Sequence, residues 1–178
     1  MKVVTRLFPK SANKVACKEY AEELFQKAKL IPPPEGELLA HIVAGTYCIL
    51  EEVVAPSENK YSIIGQRLAP FERPVVAALY SATIWTLIAF AISEHKESEE
   101  DWVVACSSLV GELEIGSDFR EHIWGGLDIG AFPSAVIALH SRYREILNFG
   151  GGMDGRFVLL QVKLLAAYQT ISEGYNTP

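Results

Sequence analysis

The sequence predicts an all-α fold in which residues 1–178 form a single domain of about five long helices and one short helix. These helices are expected to pack around a central apolar helix at Pro74–His95. Residues 74–93 contain no charged side chain and carry apolar residues on every face of a helix, so other helices or lipid must surround them. The flanking segments repeat apolar residues three and four positions apart, which is typical of helices with one buried face.

The first third of the chain is predicted to contain an extended arm and two helices. A weak strand pattern occurs mainly in residues 1–10. We therefore interpret these residues as an extended arm. The first helix is expected over 12–29 and ends before Pro32–Pro34, because proline has no backbone N–H and cannot continue a helix. The second is expected over 35–54. Its narrower side carries small residues such as Gly45, which predicts the close approach of another helix there.

Residues 55–73 are predicted to form a long irregular loop before the central helix. Pro56, Pro70 and Pro74 bracket this segment. Irregular connections of about 15 residues are uncommon in compact domains and are often functional. The loop is therefore one of two candidate binding regions.

Caps and helix breakers place the helices that follow the central one. Ser98 precedes three acidic residues, which is a helix start because carboxylates favour the positive end of the helix dipole. Gly111 is expected to weaken this helix and Gly116 to end it. Pro133 fits a first helical turn. The remaining helices are expected over 117–124 (the short one), 133–149 and 155–173.

The apolar stretch 74–93 has two interpretations. It is long enough to cross a bilayer, and basic residues precede it while acidic residues follow it, which is the charge bias of a span with a cytoplasmic N-terminus. A single-span membrane anchor is therefore one alternative function. We prefer a buried helix, because the stretch holds five alanines and several hydroxyl side chains, and because the other helices have apolar faces that need a partner.

Charge and cysteine content limit the partners. The net charge is −6, and residues 94–121 hold nine acidic side chains against two basic ones. Such a surface repels nucleic acid. We therefore expect the partner to be another protein with a basic surface. A second copy of the chain is a further possible partner. Three isolated cysteines fit a reducing compartment, so we expect a cytoplasmic protein.

Residues that carry catalysis or hold metals do not occur at the spacings those chemistries need. His41, Cys48 and Glu52 lie on one side of the second helix, but the histidine and the cysteine are two turns apart, about 10 Å along the axis. The sequence contains no Glu-x-x-His, His-Glu-x-x-His, Cys-x-x-Cys or Gly-x-Ser-x-Gly. We therefore predict no catalytic residues, no metal site and no cofactor, and favour a non-enzyme.

The function favoured by the sequence is a non-catalytic protein-interaction module, such as a regulator, an inhibitor or an immunity-type protein. The predicted partner-binding residues come from the acidic stretch and the loop: Glu97, Glu99, Glu100, Asp101, Arg67, Phe71 and Arg73. The main alternative is a helical carrier or sensor of a small apolar or haem-like ligand, because His140 lies on the apolar side of its helix. Its predicted ligand-binding residues are His140, Tyr143 and Trp85.

Overall fold

The computed structural model describes residues 12–53, 71–95, 99–111, 132–147 and 155–174. These residues contain no strand. They form the following helices: α1 (Ala12–Ala28), α2 (Glu35–Val53), α3 (Arg73–His95), α4 (Glu99–Val110), α5 (Phe132–Leu147) and α6 (Gly155–Gly174). The predicted all-α fold is confirmed. The predicted arm at 1–10, most of the loop and the short helix at 117–124 lie outside the described residues.

The bounds of the helices follow the breakers in the sequence. α1, α2, α3, α5 and α6 begin and end within two residues of their predicted bounds. α4 is the exception, because it ends at Val110 rather than continuing toward Gly116. Gly111 has a φ of 79°, and its N–H donates to the Ser107 carbonyl at 2.9 Å. A glycine in this left-handed conformation closes a helix, so Gly111 ends α4 instead of weakening it.

α3 is the central helix, as predicted. It packs against α1, α2, α4, α5 and α6, and every residue from Ala82 to Ala91 is buried. Among the residues described, Arg73–Ala91 is the one stretch long and apolar enough to cross a membrane, with a mean hydropathy of 1.7. However, 72% of that stretch is buried inside the protein. Its all-round apolar surface is therefore covered by neighbouring helices, as a core helix requires.

The connection between α1 and α2 depends on a close backbone approach at Gly36. The N–H of Ile31 donates to the Ala28 carbonyl at 3.1 Å as α1 ends. A Cβ added at Gly36 would lie 2.1 Å from the Ile31 carbonyl oxygen and 2.8 Å from that of Ala28. Glycine is therefore required here. The predicted close approach at Gly45 is wrong, because no atom lies within 4 Å of a Cβ at that position.

Candidate functional site

The predicted ligand-binding residues come from two core helices, with Trp85 on α3 and His140 and Tyr143 on α5. Trp85, His140 and Tyr143 are all buried. The Thr83 hydroxyl donates to the Leu79 carbonyl at 2.8 Å, so its contact with the Tyr143 hydroxyl is one in which the tyrosine donates. Burial raises the pKa of Tyr143. This phenol is therefore a protonated side chain that joins two helices, and its hydroxyl already has a partner within the fold.

A second buried polar contact joins α1 to α3. The Tyr80 hydroxyl donates to the Cys17 carbonyl at 2.7 Å, and the rings of Tyr20 and Tyr80 have centroids 5.1 Å apart. Burial raises the pKa of the Cys17 thiol to about 11 and also raises that of Cys106. Because the thiolate is the reactive form, both cysteines are poor nucleophiles and act as small core residues.

The Cys–His–acid set on α2 is not assembled. Cys48 is exposed, and the Nδ1 of His41 donates to the Glu37 carbonyl of its own helix at 2.8 Å. The Glu52 carboxylate instead pairs with Lys163 of α6, with 2.7 Å between Oε2 and Nζ. The three side chains thus have separate surroundings. No cluster of three or more potential metal-binding side chains occurs in the part of the chain that the structure describes.

Two of the predicted partner-binding residues, Phe71 and Arg73, make contacts to α1. The N–H of Phe71 donates to the Asn13 side-chain oxygen at 2.7 Å, and its ring packs partly buried against the core. The Arg73 guanidinium lies 2.6 Å from the Glu23 carboxylate and 5.3 Å from the centroid of the Tyr20 ring. Both residues are therefore engaged within the fold. Arg67 lies outside the described residues.

Several carboxylates of α1 and α2 lie beside basic residues. Glu23 accepts from Arg73 and also lies 3.3 Å from Lys27. Lys14 of α1 pairs with Glu51 of α2. The hydrogen bond from Arg73, followed by that from Lys27, lowers the pKa of Glu23. The pairs of Arg73 with Glu23 and of Lys14 with Glu51 hold α1 against its neighbours.

α4 presents a different surface, which we call the α4 face and define as Glu100, Asp101, Val104 and Ser108. All four side chains are exposed, and their spacing places them on one side of the helix. Neither carboxylate forms an ion pair with another of the described residues. Val104 is 63% exposed, whereas Trp102 on the opposite side is buried. The α4 face therefore combines an exposed apolar side chain with two carboxylates that have no ion pair within the described ranges.

For the other two predicted residues of the acidic surface, Glu97 and Glu99, the structure describes no side-chain contacts. Glu97 lies outside the described residues, and Glu99 is the first residue of α4. Sequence reasoning missed Val104, although a signal was present. Trp102, Cys106 and Leu109 repeat at intervals of four and three, and position 104 falls between them on the other side of the helix.

Comparison of the chain with models of known protein families, with curated proteins and with solved structures finds no match.

Proposed function

We propose that this protein is a non-catalytic helical module that binds another protein, and that its partner presents a basic surface to the α4 face. The observation that carries the proposal is the exposure of Val104 next to two carboxylates that have no basic partner among the described residues. On α1 and α2, in contrast, Glu23, Glu51 and Glu52 are held in ion pairs between helices. Within the described part of the chain, the α4 face thus brings two adjacent carboxylates without an ion pair together with an exposed apolar side chain.

The chemistry of the α4 face indicates how such a partner would bind. Protein interfaces commonly place an apolar contact at the centre and polar groups at the rim. Covering Val104 would remove apolar surface from water, and Lys or Arg side chains of the partner would pair with Glu100 and Asp101. Attraction between these opposite charges accelerates encounter and weakens as salt is added. Binding is therefore expected to be strongest at low ionic strength.

The first experiment identifies the partner by photo-crosslinking in the cells that produce the protein. A photoreactive amino acid replaces Val104 in one sample and Ala44, an exposed residue of α2, in the control. The expected result is a defined crosslinked protein from position 104 that is absent from position 44. The same crosslinks from both positions, or none from position 104, would contradict the proposal.

Charge reversal then tests the role of the acidic residues. The E100K/D101K variant is expected to weaken affinity for the purified partner by about tenfold or more, since each buried or half-buried charge pair contributes a kcal/mol or more. The E19K/E22K variant changes the net charge by the same amount on α1 and serves as the control. Equal affinities for both variants would show that binding depends on net charge alone and not on the α4 face.

The two alternative functions receive less support from the described residues. A ligand carrier that uses Tyr143 would have to replace the existing hydrogen bond to Thr83. A membrane anchor that uses residues 74–93 would have to expose a helix against which five other helices pack. Native mass spectrometry of protein extracted without detergent separates these alternatives, because a carrier retains excess mass and an anchored protein is not recovered.

A further inference from the structure

α6 carries a row of exposed apolar side chains that the interior of the fold does not use. Val158 is 60% exposed, Val162 57% and Leu165 43%. The separations along this row are four and three residues, and Gln169 continues it after four more. Alternation of three and four is the heptad spacing with which one helix packs against another in a coiled coil. The row therefore has the form of a helix-pairing seam.

Between residues 158 and 170, the exposed side chains of α6 are all uncharged. The other exposed side chains between residues 158 and 170 are Gln161, Ala166, Gln169 and Thr170. Lys163 is the one charged residue of that stretch, and it is held against α2 by its ion pair with Glu52. Because the chain has a net charge of −6, two copies repel each other in most relative orientations. Along residues 158–170, the outward side of α6 is a surface on which they meet without opposed like charges from this helix.

We propose that the outward side of α6 is a dimer interface in which α6 packs against α6 of a second copy. An interface between identical copies around a two-fold axis uses the same patch on both sides, so the patch must be complementary to itself. An apolar row with an uncharged rim meets this condition, whereas a row flanked by charges of one sign does not. The same rim offers nothing to attract a charged partner, which separates this surface from the α4 face.

The size of the patch sets the expected strength of the dimer. The row from Val158 to Gln169 covers twelve residues, about 18 Å of helix. A stable interface buries about 800 Å² on each side, and about 18 Å of a helix about 10 Å wide offers less than that. We therefore expect a reversible dimer with a dissociation constant of about 1–100 µM. The affinity should hold or rise in high salt, because burial of apolar surface drives it.

Sedimentation velocity of the full chain over about 1–500 µM tests the proposal. The wild-type protein is expected to shift from monomer to dimer with concentration. V162E introduces two opposed carboxylates into the seam and should raise the dissociation constant by about tenfold or more. V104E makes the same substitution at an exposed valine of α4 and is the matched control, with self-association unchanged. A wild-type monomer throughout the range, or equal dissociation constants for V162E and the wild type, overturns the proposal.

A second variant ensures that loss of folding is not mistaken for loss of the dimer. V158Q/V162Q removes apolar contact from the two most exposed positions without adding charge, so it is expected to weaken the dimer while preserving the helical circular dichroism spectrum. A dimer that is lost in V104E but kept in V158Q/V162Q would place self-association at α4 and contradict the assignment to α6. These measurements need no other partner, so their outcome is independent of the proposed function.

Discussion

α1 and α4 both pack on the central helix α3, but they use their polar groups differently. α1 is tied to its neighbours by the Asn13 side chain, the Cys17 carbonyl and the Glu23 carboxylate. α4 contacts its neighbours through apolar residues such as Trp102 and Leu109, and its Glu100 and Asp101 side chains are exposed. This difference indicates which surface of the protein is available to bind a partner. Polar groups that are paired inside the fold stabilise it, and unpaired ones remain available to a partner.

The largest expected effect is on stability, and it comes from a substitution where α1 contacts α2. Gly36→Ala places a Cβ against two backbone carbonyls of the α1 end, and backbone cannot rotate away as a side chain can. We expect a loss of about 3 kcal/mol in the free energy of unfolding, at the upper end of the usual cost of overpacking. Urea denaturation followed by circular dichroism measures it.

Gly45→Ala is the matched control on the same helix. Open space surrounds that position, so alanine adds helix propensity without a clash and should stabilise the protein by up to about 1 kcal/mol. Opposite signs for the two substitutions would confirm that packing, and not propensity, decides the effect at Gly36. A Gly36→Ala protein as stable as the wild type would show that the α1–α2 contact is looser than the structure has it.

A smaller effect on stability is expected from removing buried hydroxyl groups. The comparison is between a hydroxyl that has a hydrogen-bond partner and one that has none within the described residues. Tyr80→Phe removes the donor to the Cys17 carbonyl and is expected to cost about 1 kcal/mol, the usual net contribution of a hydrogen bond. The Thr46 hydroxyl is buried and has no hydrogen-bond partner within the part of the chain described. Thr46→Val should therefore be neutral or stabilising, because it removes an unsatisfied polar group while nearly keeping the shape.

Thermal and urea unfolding of both variants checks this comparison. Loss of stability in Tyr80→Phe together with no loss in Thr46→Val is the expected pattern. If Thr46→Val loses as much as Tyr80→Phe, the threonine hydroxyl has a partner and the distinction between the two groups disappears.

Much of the fold could be predicted because local signals determine it. Proline and glycine set the helix ends, and the uncharged stretch 74–93 identified the helix that the other five described helices contact. Pairings between distant residues were not predictable in this way. Arg73 and Glu23 are 50 residues apart, and nothing local to Arg73 distinguishes a structural arginine from a partner-binding one. The same limit made Gly45 look like the packing glycine, although Gly36, at the helix start, is the one that a backbone approaches.

The smallest expected effect concerns the pH dependence that Glu23 contributes. Its hydrogen bonds with Arg73 and Lys27 lower its pKa in the folded state relative to the unfolded chain. In the pH range between the two pKa values the unfolded state binds more protons, so stability falls as pH falls. The contribution is fully present above the unfolded value of about 4.3 and is lost as pH drops through the folded pKa. Glu23→Gln should therefore flatten the acid side of the stability profile.

Urea unfolding between about pH 3 and pH 6 measures this flattening, with Glu19→Gln as the control. Glu19 is exposed on the same helix and has no ion pair within the described residues, so its replacement should leave the slope unchanged. The effect of Glu23→Gln should be smaller than that of Tyr80→Phe and should shrink in high salt, because the pair lies at the surface, where water and ions screen it. Identical slopes for both variants would mean that Glu23 is as unpaired in solution as Glu100 and Asp101 are on α4. Glu23 would then be as available to a basic partner as Glu100 and Asp101, and the α4 face would be distinguished by its exposed Val104 instead.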